Sequence, residues 1–215
     1  MRRFASLAIV LLSVLLAVGA GQPPPPRHID FSEADRADLD RVSAYLNSIH
    51  TLEGEFVQID PDGGIDQGIF YLSKPGRLRF EYRPPSPLLI VSDGRTVAVS
   101  NSKLKTVDRY PLSATPLDLL LGDKIDLRRD GSIMAVLRQP GALVIEARTG
   151  RNRNKPNLAI TFAEPDLELR QWTIVDDQGL TTTVALRNLM SGVSLDDKLF
   201  VLRDSKKPVG VKPRE

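Results

Sequence analysis

The feature that most constrains the fold is a run of short amphipathic segments between residues 74 and 97. In the first segment three apolar side chains alternate with charged ones, namely Leu78, Phe80 and Tyr82. This two-residue period is typical of a strand with one apolar face and one solvated face. Turn-forming pairs at 75–76 and 93–94, both ending in glycine, separate the segments. The stretch therefore predicts a meander of antiparallel strands.

The same rhythm of short apolar segments and turn signals continues through most of the chain after residue 52. Turn pairs such as 130–131, 140–141 and 178–179 divide it into about eleven candidate strands. We predict strands at 53–59, 67–74, 77–82, 88–91, 96–100, 105–110, 132–139, 142–147, 157–163, 167–176 and 181–190. Because the segments are closely spaced, hairpins are expected to connect most of them, and the fold is mainly β.

Two helical segments interrupt the strand pattern. The first starts at Ser32, a good N-cap residue, and carries an apolar stripe at helical spacing: Leu39, Val42, Leu46 and Ile49. The second is short and rich in leucine, with Thr115 as the expected N-cap, Pro116 in the first turn and Gly122 as the stop. Such a pair covers only one face of a large antiparallel sheet. We therefore expect an α+β fold, an unclosed antiparallel β-barrel or curved sheet whose apolar concave face is capped by a helical lid.

The two ends of the chain are predicted to lie outside this fold. Residues 1–20 combine two arginines, an apolar run and a small-residue cleavage site, which is the pattern of a signal peptide. Residues 21–31 contain four consecutive prolines and are expected to form an extended leader. Residues 204–215 form a basic C-terminal tail. The folded domain is accordingly expected at 32–203.

Charge and cysteine content narrow the functional classes. The chain has 29 Lys and Arg residues against 27 Asp and Glu residues, and the arginines at positions 2 and 3 account for the excess. The chain without its signal peptide is formally neutral, so a nucleic-acid partner, which needs a clustered positive field, is not expected. The chain has no cysteine, which excludes a disulfide framework and lipidation on an N-terminal cysteine.

No catalytic or cofactor chemistry is recognisable in the sequence. His28 and His50 are the only histidines and have no ligand-spaced partners, so neither a metal site nor a cofactor is predicted. Nucleophile elbows and phosphate-binding loops are absent, and the chain is not expected to be an enzyme.

A basic loop is predicted at 148–155. One interpretation is that it contacts lipid headgroups or an acidic partner; the other is that it is a solvated hairpin tip. We favour the hairpin tip.

The concave side of a helix-capped sheet can be an apolar cavity that binds acyl chains, or it can be filled completely by side chains. The residue pattern alone leaves both interpretations open. Four segments, however, resemble the periplasmic outer-membrane lipoprotein carrier protein (LolA) family: Phe56-x-Gln58, Lys74 to Tyr82, Ser92-Asp93-Gly94 and Thr115-Pro116-Leu117. The similarity extends from Leu39 to Phe200 and favours the cavity.

The resemblance implies a periplasmic carrier. Carriers of this family accept triacylated lipoproteins released from the inner membrane by an ABC transporter and deliver them to the outer membrane. The expected partners of this chain are therefore triacylated lipoproteins and that transporter, with an outer-membrane receptor as a further candidate. The expected oligomeric state is a monomer.

The resemblance also implies roles for individual residues. The cavity candidates are Phe56, Phe70, Leu72, Leu78, Phe80 and Tyr82. The resemblance maps lid residues to Leu46, Leu117 and Leu120. The other apolar positions of the two predicted helices complete the lid candidates: Leu39, Val42, Ile49 and Leu121. Considered one at a time, each is equally consistent with ordinary core packing.

One basic position differs from the family pattern. The family typically has an arginine where this chain has Lys74, and that arginine hydrogen-bonds lid backbone to hold the empty cavity shut. Lysine lacks the planar five-donor fork of arginine. We therefore expect a weaker lid latch here, or one shared with Arg77 or Arg79. The alternative is that Lys74 is only a solvated charge at a strand end.

Two other functions are compatible with the sequence. One is a periplasmic carrier of another lipid, such as a glycolipid or a phospholipid. The other is a regulatory module that senses lipoproteins. A sensor is expected to add a second domain, whereas this chain ends soon after Phe200, so the carrier is favoured.

Overall fold

Antiparallel strands form most of the structure, a computed structural model that describes residues 29–149 and 157–202. Helix α1 spans Glu33–Ser48, helix α2 spans Asp118–Leu121, and two 3₁₀ turns span Leu112–Ala114 and Asp197–Phe200. The strands are β1 Thr51–Ile59, β2 Ile65–Ser73, β3 Arg77–Tyr82, β4 Leu88–Asp93, β5 Thr96–Asn101, β6 Thr106–Pro111, β7 Ile133–Gln139, β8 Ala142–Ala147, β9 Leu158–Ala163, β10 Glu168–Val175 and β11 Thr181–Ser191. The signal peptide, nearly all of the proline-rich leader, most of the basic loop and the basic tail fall outside the described residues.

The strands of the described chain form one eleven-stranded sheet in the order β6-β5-β4-β3-β2-β1-β11-β10-β9-β8-β7. Every neighbouring pair is antiparallel. Strand β1 lies at the centre, and β6 and β7 are the two edges, so the sheet does not close on itself. The prediction of an unclosed, mainly β fold is confirmed, and the predicted strand boundaries differ from the observed ones by no more than two residues.

Helix α1 forms as its sequence predicts. The Ser32 hydroxyl accepts a hydrogen bond from the Asp35 backbone N–H at 3.1 Å, and the Asp35 carboxylate accepts one from the Ser32 N–H at 3.1 Å. This reciprocal capping box satisfies two backbone donors at the start of the helix. The helix buries Leu39, Val42 and Leu46 against the inner face of the sheet, which is where the core lies.

Helix α2 is shorter than predicted, and the expectation that Thr115 caps it is wrong. The Thr115 hydroxyl donates to the Leu112 carbonyl oxygen at 2.8 Å and closes the preceding 3₁₀ turn, so it is not used at the helix start. The N-cap position is Leu117, which offers no side-chain acceptor, and the helix ends at Gly122 as predicted. Four residues do not make a stable helix alone, so α2 depends on the burial of its leucines.

Candidate functional site

An apolar pocket lies between the C-terminal end of α1, α2 and the inner face of the sheet. Its lining residues come from both helices and from strands β1, β2, β3, β10 and β11: Leu46, Ile49, Leu52, Phe70, Leu72, Lys74, Leu78, Leu117, Leu120, Leu121, Leu169, Trp172 and Leu186. Twelve of these thirteen residues are apolar or aromatic, and Lys74 is the only charged one. The composition of the lining suits a hydrocarbon ligand.

The pocket is shut in this structure. Its volume is about 20 Å³, which is room for about one water molecule. Pockets that hold organic ligands have volumes of about 300–1,000 Å³. The side chains of the two helices therefore occupy the space that a ligand would need, and binding requires at least one helix to move.

A wider groove on the other side of α2 has a different character. Its volume is about 820 Å³, and most of its lining is polar or charged, including Asp118, Lys124, Asp126 and Arg129. Acids and bases alternate along it, so it offers neither a hydrocarbon surface nor a field of one sign. The apolar pocket is therefore the better candidate site.

Apart from Arg77 and Arg79, the predicted site residues divide into two groups. Nine of them line the pocket: Leu46, Ile49, Phe70, Leu72, Lys74, Leu78, Leu117, Leu120 and Leu121. The others on the inner face lie deeper in the same core or further along α1: Leu39, Val42, Phe56, Phe80 and Tyr82. The structure thus brings the predicted cavity and lid residues onto one continuous apolar surface.

Aromatic rings form the floor beside the pocket. Phe56 makes edge-to-face contacts with Phe80 and Tyr82, with ring centroids 4.8 and 4.9 Å apart. Phe80 also contacts Phe70 and Trp172, with centroids 5.9 and 6.0 Å apart. Contacts of this geometry add about 0.5–1.5 kcal/mol per pair beyond area burial. The floor is therefore a closely packed part of the core.

Two glycines make room for these rings. Gly54 lies opposite Phe70, and Phe56 lies opposite Gly68, on the adjacent strands β1 and β2. A Cβ atom at Gly54 would be 2.8 Å from the Phe70 ring, and one at Gly68 would be 2.6 Å from the Phe56 ring. At Gly68 it would also be 2.0 Å from the Glu81 carbonyl oxygen, so no side chain fits there.

Four lining residues were not predicted from the sequence: Leu52, Leu169, Trp172 and Leu186. Leu169 and Trp172 are three positions apart, which places them on opposite faces of a regular strand. An extra residue in β10 shifts the register between Leu169 and Gln171, so both side chains are buried on the inner face. Leu52 and Leu186 follow ordinary alternation, and the buried face of their strands was the available signal.

The turn between β2 and β3 contacts both helices. Lys74 Nζ donates to the Leu46 carbonyl oxygen of α1 at 2.7 Å. Two residues later, the Gly76 N–H donates to the Leu121 carbonyl oxygen of α2 at 2.9 Å. One three-residue turn therefore holds the ends of both helices over the pocket.

The same turn packs against the glycine turn at 93–94. Gly76 has φ of +72°, and a Cβ atom there would be 2.7 Å from Gly94 Cα. The Ser92 hydroxyl, which is fully buried, donates to the Gly76 carbonyl oxygen at 2.6 Å. Two of the sequence segments that carry the family resemblance thus form one structural unit beneath the lid.

Burial changes the acid–base behaviour of Lys74. Desolvation lowers the pKa of its ammonium group to about 8, and the nearby Asp123 carboxylate opposes this shift. The cause is the transfer of a positive charge from water toward an apolar pocket. Lys74 is thus half-buried beside the pocket and hydrogen-bonded to α1, as a latch residue would be.

Arg77 and Arg79 contact a different part of the chain. Arg77 pairs with Asp197 and lies over the Phe200 ring, 5.3 Å from its centroid. Arg79 donates to the Leu199 carbonyl oxygen at 3.0 Å and pairs with Glu81. Both arginines thus hold the C-terminal 3₁₀ turn against the sheet, and within the described part of the chain their hydrogen bonds do not reach α1 or α2.

A polar network closes the far end of the aromatic floor. The Tyr82 hydroxyl donates to Gln58 Oε1 at 2.7 Å, and Gln58 Nε2 donates to Asp60 Oδ1 at 2.7 Å. Burial raises the pKa of Tyr82, and the Asp66 and Asp60 carboxylates raise it further. The Tyr82 phenol is therefore a neutral donor, and this end of the floor is a fixed structural element.

Other kinds of site have little support. Across residues 29–149 and 157–202, no group of three or more His, Cys, Asp or Glu side chains is arranged to hold a metal ion. In the same ranges no helix is long and apolar enough to cross a membrane.

Comparison with known proteins identifies related sequences. The sequence model of the outer membrane lipoprotein carrier protein LolA matches residues 47–203. An outer-membrane lipoprotein carrier protein of Methylococcus capsulatus is 29% identical over 178 residues, which cover 79% of this chain and 85% of the relative. A protein of the same name from Pseudomonas syringae pv. syringae is 28% identical over 200 residues, covering 88% and 90% of the two chains. One from Azotobacter vinelandii is 26% identical over 190 residues, covering 83% and 88%.

Proposed function

We propose a function from one premise: this chain belongs to the outer membrane lipoprotein carrier protein LolA family, whose members are carriers and not enzymes. The chain is a periplasmic carrier that takes up the acyl chains of lipoproteins released from the inner membrane and brings them to the outer membrane. The observation that supports this function best is the pocket of leucine and aromatic side chains, shut by two helices that meet at one turn.

The physical need for a carrier follows from the cargo. Each buried CH₂ group contributes about 0.8 kcal/mol, so three acyl chains carry tens of kcal/mol of gross hydrophobic free energy. Passage of such a lipid through water is too slow to be useful. Noncovalent affinity saturates at about 18–21 kcal/mol, so a carrier that shields the chains in part still releases them.

Loading begins with displacement of the lid. The pocket of about 20 Å³ has no room for an acyl chain until Leu117, Leu120 and Leu121 move away from the floor. As the lid leucines separate from the floor, the incoming hydrocarbon covers the apolar surfaces on both sides of the opening. Exchange of a leucine contact for an acyl contact keeps apolar area out of water throughout the step.

Lys74 acts as the latch of the empty carrier under this proposal. Its ammonium group holds the end of α1 through Leu46, while Gly76 holds α2 through Leu121. Removal of the lysine N–H donors by Lys74→Met is expected to loosen the lid and to raise the binding of an apolar fluorescent dye by the empty protein. Dye binding equal to that of the wild type would contradict the latch.

The expected partners are triacylated lipoproteins, the ABC transporter that releases them from the inner membrane, and an outer-membrane receptor. Residues 1–20 serve as the signal peptide that directs export to the periplasm. The expected carrier is a monomer, because one chain contributes both helices and all the strands that line the pocket.

The carrier function is tested by incubating the purified protein with energised spheroplasts and identifying what leaves the membrane with it by mass spectrometry. Stoichiometric triacylated lipoprotein is the expected result. Bound phospholipid or glycolipid without lipoprotein would instead assign transport of another lipid. A protein that emerges without lipid would favour the sensor function.

A matched pair of variants connects this result to the pocket. Leu117 lines the pocket and is only partly buried, so Leu117→Glu is expected to fold and to block release of lipoprotein. Leu104 is 67% exposed in the β5–β6 turn, and Leu104→Glu is expected to release lipoprotein as the wild type does. Equal release by the two variants would contradict a role for the pocket.

A further inference from the structure

The charge of Lys74 is conspicuous because the pocket that it lines is otherwise apolar. The twelve other residues that line the pocket carry no charge. A site for acyl chains alone needs no ammonium group, and partial burial of a charge costs free energy that the Leu46 carbonyl oxygen and the Asp123 carboxylate offset only in part. A polar ligand group at this position would compensate for that cost.

Lys74 also has hydrogen-bonding capacity that the protein does not use. An ammonium group has three N–H donors. Among the described residues, the Leu46 carbonyl oxygen is the one hydrogen-bond acceptor of Lys74 Nζ. Two donors therefore remain for a ligand, even while the contact to α1 is intact.

The position of Lys74 fixes which part of a ligand it can reach. Lys74 directly follows β2, in the turn that contacts both helices, so it lies where the pocket meets the lid ends. The aromatic floor extends from Phe70 and Phe80 toward Tyr82, away from this turn. A hydrocarbon chain along the floor would therefore leave its polar end beside Lys74.

We propose that Lys74 is the binding site for the ester or amide carbonyl groups that join acyl chains to the polar head of the cargo. Its free N–H donors hydrogen-bond these carbonyl oxygens once the chains lie on the aromatic floor. The residue thereby distinguishes acylated cargo from plain hydrocarbon. This inference rests on the proposed function for the identity of the cargo, but it concerns the linkage chemistry that the pocket selects.

The inference is tested with two lipids that differ only at the linkage. Monopalmitoylglycerol carries an ester carbonyl, and hexadecyl glyceryl ether has the same head and chain length without it. Displacement of an apolar fluorescent dye measures both affinities. The wild type is expected to bind the ester roughly tenfold more tightly, as one hydrogen bond to a charged donor predicts.

Variants of Lys74 distinguish hydrogen-bond donation by its ammonium group from simple packing of its side chain. Lys74→Met keeps the length of the side chain and is expected to lower the ester-to-ether ratio to about one, while Lys74→Arg, which keeps the charge and donors, retains the preference. Lys103→Met in the exposed β5–β6 turn is the control and leaves the ratio unchanged. Circular dichroism confirms that each variant is folded.

Two results would overturn the inference. One is a wild type that binds ester and ether equally. The other is an equal loss of preference in Lys74→Met and Lys74→Arg. That result would show that the lysine side chain acts by packing and not by donating hydrogen bonds. The dye assay uses lipids only, so its outcome is independent of lipoprotein release from spheroplasts. An ester preference without lipoprotein release would keep the carbonyl site and reject the lipoprotein carrier function.

Discussion

The two helices that cover the pocket are held in different ways. Helix α1 has 16 residues and a capping box, and ion pairs join it to the sheet side, with Arg138 bound to Asp35 and Asp38 and Arg41 bound to Glu164. Helix α2 has four residues and no side-chain cap. Its hydrogen bond to the sheet within the described residues is the one between Gly76 and Leu121.

This difference identifies the part of the lid that moves. Exposed ion pairs contribute little individually, but Leu39 and Val42 in α1 are fully buried and fix that helix as a wall of the core. Helix α2 depends on the contacts of three leucines with the floor, and these are the contacts that a hydrocarbon ligand can replace. We therefore expect opening to begin at α2, with the buried middle of α1 in place and the C-terminal end of α1, which Lys74 holds, moving afterwards.

The largest effect is expected from a cavity in α1. Leu39→Ala is expected to lower the free energy of unfolding by about 3 kcal/mol, because a fully buried leucine is lost from a packed core. Leu117→Ala is expected to cost less than half as much, since Leu117 is only partly buried. Urea denaturation measures both. Similar costs would show that α2 is as integral to the fold as α1.

The next largest difference between the two helices is expected in how often each opens locally. The backbone N–H groups of Leu120 and Leu121, which bond to the Leu117 carbonyl oxygen, are expected to exchange with deuterium about 100-fold faster than that of Val42. The reason is that α2 opens without global unfolding. Native-state hydrogen exchange measures the rates. Equal protection would place both helices in one cooperative unit.

A smaller effect is expected at the cap of α1. Ser32→Ala removes the hydroxyl of the capping box and is expected to lower the free energy of unfolding by about 1 kcal/mol. Ser113→Ala, in the exposed turn before α2, is expected to change it by less than a few tenths of a kcal/mol. Thermal denaturation of the two variants provides the comparison. An equal loss would indicate that the cap adds nothing.

The smallest effect concerns pH. The pKa of Lys74 is lowered to about 8 in the folded protein, so above pH 8 the unfolded chain binds more protons and the free energy of unfolding rises. The free energy of unfolding continues to rise as the pH approaches the ordinary lysine pKa. Between pH 7 and 9 this rise is less than about 1 kcal/mol, since the group is partly exposed. Asp123 is the acidic group that acts on it.

The control for this effect is Lys74→Met. Its stability is expected to lack the rise between pH 7 and 9, and denaturation at three or four pH values measures the difference in slope. Parallel curves for wild type and variant would show that Lys74 keeps its ordinary pKa and is well solvated.

The strands of the sheet could be predicted from the sequence because each has a local pattern of alternating side chains or flanking turn residues. In β3, Leu78 and Phe80 alternate with Arg77 and Arg79, with a glycine turn before the strand and a proline-rich segment after it. The order of eleven strands follows from hairpins, apart from the closing pair of β1 with β11. That pair joins distant parts of the chain, and nothing local in the sequence specifies it.

Features that depend on a single residue were harder to predict. The bulge in β10 places Leu169 and Trp172 on one face, and Asn188, with φ of +53°, accompanies a similar shift between β11 and β1. Neither breaks the sequence pattern visibly. Thr115 is a good N-cap by residue type, yet its hydroxyl bonds backward to Leu112. The volume of the pocket depends on how the leucines of two helices fit the floor, which strand and helix patterns do not specify.

The nearly filled pocket has a consequence for cargo transfer. If the pocket takes up an acyl chain as proposed, its own leucine side chains compete with that chain for the same space. The net affinity is then the difference between two similar burials, and a lipid leaves as readily as the leucines return. By the same reasoning, a pocket that stayed open without its cargo would bind the same lipid more tightly and release it more slowly.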